Sequence, residues 1–189
     1  MKKVILQVVF SIVILVLAYF LYQSIMAPVR FNKEYTHRSK VLIEQMKDIR
    51  TAQMMYKSMY GKYTGSFDTL IQFMSEGQIP VVKMIPDPED TTFTRSIIDT
   101  VGYISVADSI FDEGEDPEMI RYMPFTDKEE IRLQAGEIEK GNIMVPVFEA
   151  LADKTTYLHG LDRNLISQDR YKSIKVGSME EPSTDGNWE

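Results

Sequence analysis

Three short stretches of this 189-residue chain carry residue types that could do chemistry. The first is Gly61-Lys62-Tyr63-Thr64-Gly65-Ser66, in which a Gly-Lys pair is the combination that cradles nucleotide phosphates. A phosphate loop needs a further glycine five positions earlier and Ser or Thr directly after the lysine. Tyr56 and Tyr63 occupy those places, so the stretch reads as a helix stop at Gly61 followed by a turn. The second is Asp112, Glu113, Glu115 and Asp116, with Glu118 close by. Hard oxygen donors of this kind suit calcium. The spacing is not that of an EF-hand, and a solvated acidic loop is the expectation. The third is His159 beside Gly160 and Asp162. A histidine and a carboxylate are two parts of a Ser–His–Asp hydrolase site, but no strand-turn-helix nucleophile motif accompanies them. A turn is therefore expected there, and His37, the other histidine, is expected to be exposed. With no cysteine in the chain, thiolate metal sites, disulfides and thiol nucleophiles are ruled out. The expectation is a protein without catalytic residues, cofactor or resident metal, and not an enzyme.

These residues must be positioned by elements, and the first element is apolar. No charged residue occurs from Val4 to Val29, and the run from Val4 to Tyr22 is 19 residues long. As a helix that run is about 28 Å long, which matches a hydrocarbon core of about 30 Å. Tyr19, Phe20 and Tyr22 stand near one end, as interfacial aromatics do, and Pro28 marks a kink or exit. Residues 1–29 are thus read as an uncleaved single-pass transmembrane anchor. Lys2, Lys3 and the terminal amine favour a cytoplasmic N-terminus, with the domain periplasmic or extracellular. The six Lys/Arg between Arg30 and Arg50 pull the other way.

Residues 30–76 read as helical. Tyr35, Ser39, Leu42, Met46, Ile49, Gln53, Tyr56 and Tyr60 recur at alternating spacings of four and three, the period of an amphipathic helix. Asn32 is the expected N-cap and Gly61 the stop. Ser66 caps a short second helix ending at Gly77, with Phe67, Leu70, Ile71 and Met74 facing inward. Residues 77–179 are β-rich, with strand candidates in residues 95–111, 119–125, 131–139, 142–150, 156–161 and 171–177 separated by Gly, Asp or Pro. Residues 180–189 form a polar tail closing on Trp188, expected to tuck into the core. The fold class is α+β, with the anchor helix continuing into an amphipathic helix packed on an antiparallel sheet.

The words Ala52-Gln53, Tyr56, Gly61-Lys62-Tyr63 and Ser66…Leu70, placed after an apolar helix, resemble the type IV pilin and type II secretion pseudopilin family. The resemblance covers roughly residues 4–75. It implies a pilin-like architecture and a role in a cell-envelope secretion or fibre machine. Lys3 and Val4 stand where the family has its cleavage glycine and following residue, and no glutamate precedes Glu34. Prepilin processing and glutamate-directed registration are therefore not implied.

Charge completes the reading. The formal net charge is −7, but residues 27–60 hold seven Lys/Arg against three acids, and residues 86–140 hold fifteen acids against five Lys/Arg. The basic segment adjoins the anchor, where anionic lipid headgroups attract it. Nucleic acid would be repelled by most of the domain. Partners are then membrane lipid and other envelope proteins, or further copies of the chain, met through helix packing. Leu42, Met46, Ile49, Tyr56 and Tyr60 are the candidate interface, with a domain core as the other use of the same stripe. The location expected is the inner membrane. A membrane-tethered binding or sensory module is the alternative function, and an anchored hydrolase centred on His159 a third.

Overall fold

The structure is a computed structural model and describes residues 2–86, 96–111, 114 and 116–189. One helix, α1 (Lys2–Tyr60), runs through the apolar segment and on into the domain. It has no break at Asn32, so the expected N-cap there is corrected: the amide oxygen of Asn32 instead accepts a hydrogen bond from the Tyr171 hydroxyl at 2.6 Å. Pro28 lies inside the helix. It costs one backbone bond, to the Ser24 carbonyl four residues back.

α1 ends at Gly61, whose φ of +75° is a left-handed conformation open to glycine without steric cost. The Gly61 N–H closes the last turn on the Lys57 carbonyl at 2.8 Å. α2 (Phe67–Glu76) starts at Ser66, whose hydroxyl accepts from the Thr69 N–H. Its buried face is Phe67, Leu70, Phe73 and Met74, with Ile71 half-buried.

The β-rich part forms two separate antiparallel sheets rather than one. β1 (Gln78–Pro86) and β2 (Ser96–Ser105) make a two-stranded sheet with a register shift at Val81/Val82. β3 (Arg132–Lys140), β4 (Ile143–Ala152) and β5 (Ile174–Gly177) make the other, in spatial order β3–β4–β5. The tail extends its free edge: Gly186 bridges to Val176, and the Asn187 N–H donates to the Lys175 carbonyl at 3.0 Å. Trp188 packs on the core, as expected.

Several expected strands are replaced. Residues 106–110 of the first candidate form a short helix, α3 (Val106–Ile110). Pro117–Arg121 is a 3-10 turn capped by the Asp116 carboxylate, so residues 119–125 hold a single bridge, Tyr122 to Glu130, and no strand. Residues 156–161 fall in α4 (Lys154–Tyr157) and the turn after it, capped by Asp153. α5 (Arg163–Ile166), capped by Asp162, was not foreseen. Neither was β1, because Pro80 and Pro86 argue against a central strand; here they stand in an edge strand, where proline is tolerated.

The core lies between α1, α2 and the three-stranded sheet. Leu42, Met46, Ile49 and Ala52 of α1 are fully buried with Leu70, Met74, Phe148, Ala150 and Val176. Burial of each large apolar side chain stabilises by about 1.5–3 kcal/mol.

Candidate functional site

α1 presents two different surfaces. From Ile5 to Val29 its large apolar side chains, Met26 apart, stand between 46% and 70% exposed, with no cover among the described residues. α1 is the one helix among the described residues that is long and apolar enough to cross a membrane. Such a surface is stable in water only if lipid or another apolar surface covers it.

Beyond Phe31 the helix is embedded. Of the candidate interface residues, Leu42, Met46 and Ile49 are fully buried and Tyr56 is nearly so. They face α2 and β5 rather than the outside. Only Tyr60 of the five is exposed, edge-on to Phe73 and tilted against Tyr56 at 4.6 Å between ring centres. As an outer interface the stripe is therefore corrected to a core for four of its five members. The exposed apolar residues of this half of α1 are Val41, Met54, Met59 and Tyr60.

Polar side chains within and beside the stripe hold loops onto α1, which no composition pattern signals. Arg38 donates to the carbonyls of Tyr157 and His159 at 3.2 and 2.9 Å while paired with Glu34 at 2.8 Å. Gln45 donates to the carbonyls of Ile120 and Tyr122, both at 2.8 Å. Arg50 pairs with Glu189 at 2.7 Å. Gln53, fully buried, donates to the Thr64 carbonyl at 2.6 Å and accepts from the Thr64 N–H at 3.1 Å. The Gly-Lys turn is thus clamped to the helix that precedes it, and Lys62 points to solvent.

The other chemical candidates separate in space. Asp112, Glu113 and Glu115 lie outside the described residues. Asp116 accepts from the Glu118 N–H at 3.0 Å as a helix cap. No group of three His, Asp or Glu side chains that could hold a metal occurs among the described residues. His37 is exposed and tilts against Phe125 at 5.5 Å. His159 is exposed in the turn after α4. No hydroxyl or carboxylate among the described residues bonds to its ring.

Two clefts bear on function, one beside α1 and one between short helices. One, of about 570 Å³, lies between the outer face of α1 and the 116–128 segment, with Gln45 at its base and Met119 and Phe125 exposed on its wall. The segment bends through left-handed φ values at Phe125 and Lys128, +64° and +61°. The other, of about 440 Å³, lies between α4 and α5. Its rim carries Lys154, His159 and Arg163, and its floor Leu161 and Ile166. Burial pushes the phenol of Tyr157, the last residue of α4, well above its ordinary pKa, with Ser39 opposing; its hydroxyl donates to the Lys172 carbonyl at 3.0 Å. No family model, characterised protein or solved structure matches the chain.

Proposed function

We propose that the chain is a membrane-anchored, non-enzymatic assembly component of the cell envelope, pilin-like in plan, acting through lateral packing of its apolar helix. The observation that carries the reading is the continuity of α1. Its first half leaves the large apolar side chains from Ile5 to Ile25 uncovered, and its second half is part of the core of the domain. A rigid helix of this kind transmits the position of the span to the domain directly. Because Leu42, Met46, Ile49 and Tyr56 are used internally, partner packing is assigned to the span, where Gln7, Ser11 and Gln23 supply hydrogen-bonding groups between helices.

The test uses the absence of cysteine. Single cysteines at Leu15, Val16, Leu17 and Ala18, oxidised in native membranes, should cross-link with a helical period. A cysteine at Ser75, exposed on α2, should react with an impermeant maleimide in intact cells. Uniform absence of cross-links to self or neighbours would refute packing. Protection of the Ser75 cysteine until lysis would refute the envelope placement. A second reading, a tethered binding module, draws on the 570 Å³ cleft at Gln45. A monomeric chain whose melting temperature rises with a ligand seated there would favour it.

A further inference from the structure

The domain has a membrane-facing base that the sequence order conceals. Residues 153–173 fold back to the level of residues 31–39 of α1. Tyr171 stacks edge-on against Phe31 and Tyr35, each at 4.8 Å, and Arg38 binds the carbonyls of Tyr157 and His159. Phe31 is nine residues beyond Tyr22, about 14 Å along the helix. If Tyr22 ends the hydrocarbon-spanning run, this base stands at or just above the headgroup layer.

Its charge is opposite to that of the remaining chain. Residues 30–40 and 153–173 together hold eight Lys/Arg and four acids. Three of the acids are engaged within the fold: Glu34 by Arg38, Asp153 by Thr155 and Asp162 by the Asn164 N–H. Arg30, Lys33, Lys40, Arg163, Arg170 and Lys172 form no ion pair among the described residues. Basic side chains farther along the fold, such as Arg50, Arg121 and Lys175, do have carboxylate partners. Among the described residues, unpaired cations also occur elsewhere, at Lys57, Lys62, Lys83, Lys128, Arg132 and Lys140, so what sets this end apart is its net positive charge in an otherwise acidic chain.

We propose that the cleft between α4 and α5 binds the phosphate of an anionic phospholipid in the leaflet facing the domain. Lys154, His159 and Arg163 on the rim meet the phosphate, and Leu161 and Ile166 on the floor meet the glycerol and upper chain carbons. A soluble anion would have no use for that apolar floor. Lys154 already spends two donors on the carbonyls of Gln168 and Tyr171, at 3.4 and 3.0 Å, which fixes its ammonium at the rim with a third donor left over. The proposal rests on the reading that α1 spans a membrane.

The test titrates the full chain in a zwitterionic detergent. An environment-sensitive fluorophore sits on a cysteine replacing Asn164, which is exposed on α5. The ligands are dihexanoyl phosphatidylglycerol, dihexanoyl phosphatidylcholine and inorganic phosphate. Phosphatidylglycerol should give a saturable response at least tenfold below the concentration that phosphatidylcholine requires, with inorganic phosphate weaker still. Arg163→Gln should weaken the response about fivefold, the effect of one basic side chain at a lipid surface. Lys83→Gln, exposed on β1, should leave it unchanged. Equal responses to the two lipids, a phosphate response matching that of phosphatidylglycerol, or an unaltered Arg163→Gln variant would each overturn the proposal. Carbonate extraction of native membranes reads the anchor separately. A retained chain without a phosphatidylglycerol response overturns the cleft assignment alone, and a released chain overturns the spanning reading beneath it.

Discussion

Gln53 is the side chain on which the turn after α1 depends most. It is fully buried, and its amide makes both hydrogen bonds available to it from the Thr64 backbone. Gln53→Met keeps the volume and removes both bonds. The Thr64 N–H and carbonyl are then left inside without partners. Each unsatisfied group costs about 1–3 kcal/mol, and some relaxation toward solvent is available to a turn, so the loss should be about 2–4 kcal/mol. Gln53→Glu is more discriminating. A protonated carboxyl can donate to the Thr64 carbonyl and accept from the Thr64 N–H, as the amide does. The carboxylate can only accept, and it is buried. Its folded-state pKa is therefore raised above the unfolded value of about 4.3. A carboxyl shifted upward contributes its full stability below the unfolded pKa and loses it as pH rises toward the folded one. With a rise of about 2–3 units, the variant should lose about 2–3 kcal/mol between pH 4.5 and 7.5 relative to the parent chain.

Urea unfolding of the full chain in a nonionic detergent, followed by Trp188 emission, measures this. Trp188 is the one tryptophan of the chain and packs against the core, so its signal reports the domain and not the apolar half of α1. The comparison is between pH values for each variant, which cancels the general effect of pH on an acidic protein. A Gln53→Met midpoint within about 0.5 kcal/mol of the parent, together with a Gln53→Glu loss that does not grow with pH, would refute the clamp.

Two further outcomes follow from local geometry. Gly177→Ala should destabilise by more than about 2 kcal/mol in the same urea assay, because φ is +76° and the new Cβ would run into the Phe148 carbonyl oxygen; a loss below 1 kcal/mol would refute that close approach. The Thr155 hydroxyl and then its N–H hold the Asp153 carboxylate below its ordinary pKa. Its contribution is therefore present above the unfolded value of about 3.9 and lost as pH falls through the folded one, so Asp153→Asn should lower stability near neutrality and flatten the acid limb of the stability curve below about pH 4.

What could be read in advance was what repeats or punctuates. The stripe from Tyr35 to Tyr56 is buried because seven residues at alternating spacings of four and three lie on one side of a helix. Gly61 and Ser66 mark a stop and a start by backbone chemistry alone. The short elements between 106 and 171 have no period to read. α4 and α5 are four residues each, and Asp153 and Asp162 set them by capping rather than any apolar face. Tyr157 and Leu158 are apolar neighbours buried from one helical turn, which in sequence is indistinguishable from a strand. The carbonyls that Arg38 and Gln45 reach are separated from them by 74 residues or more, so no local pattern could announce them.

The harder lesson concerns which surface the stripe serves. Periodicity records that one side of a helix is covered, and it is silent on whether the cover belongs to the same chain. In α1 the cover from Phe31 onward comes chiefly from α2 and β5, and among the described residues there is none from Ile5 to Ile25. The uncharged stretch from Val4 to Val29 is 26 residues, about 39 Å as a helix, longer than a hydrocarbon core of about 30 Å. Tilt or emergence must absorb the excess. In the proposed spanning arrangement, emergence would bring Tyr22 to Val29 into the headgroup layer and set Arg30, Lys33 and the α4–α5 base above it. On that proposal the helix length also fixes how near the basic end of the domain can come to lipid phosphate.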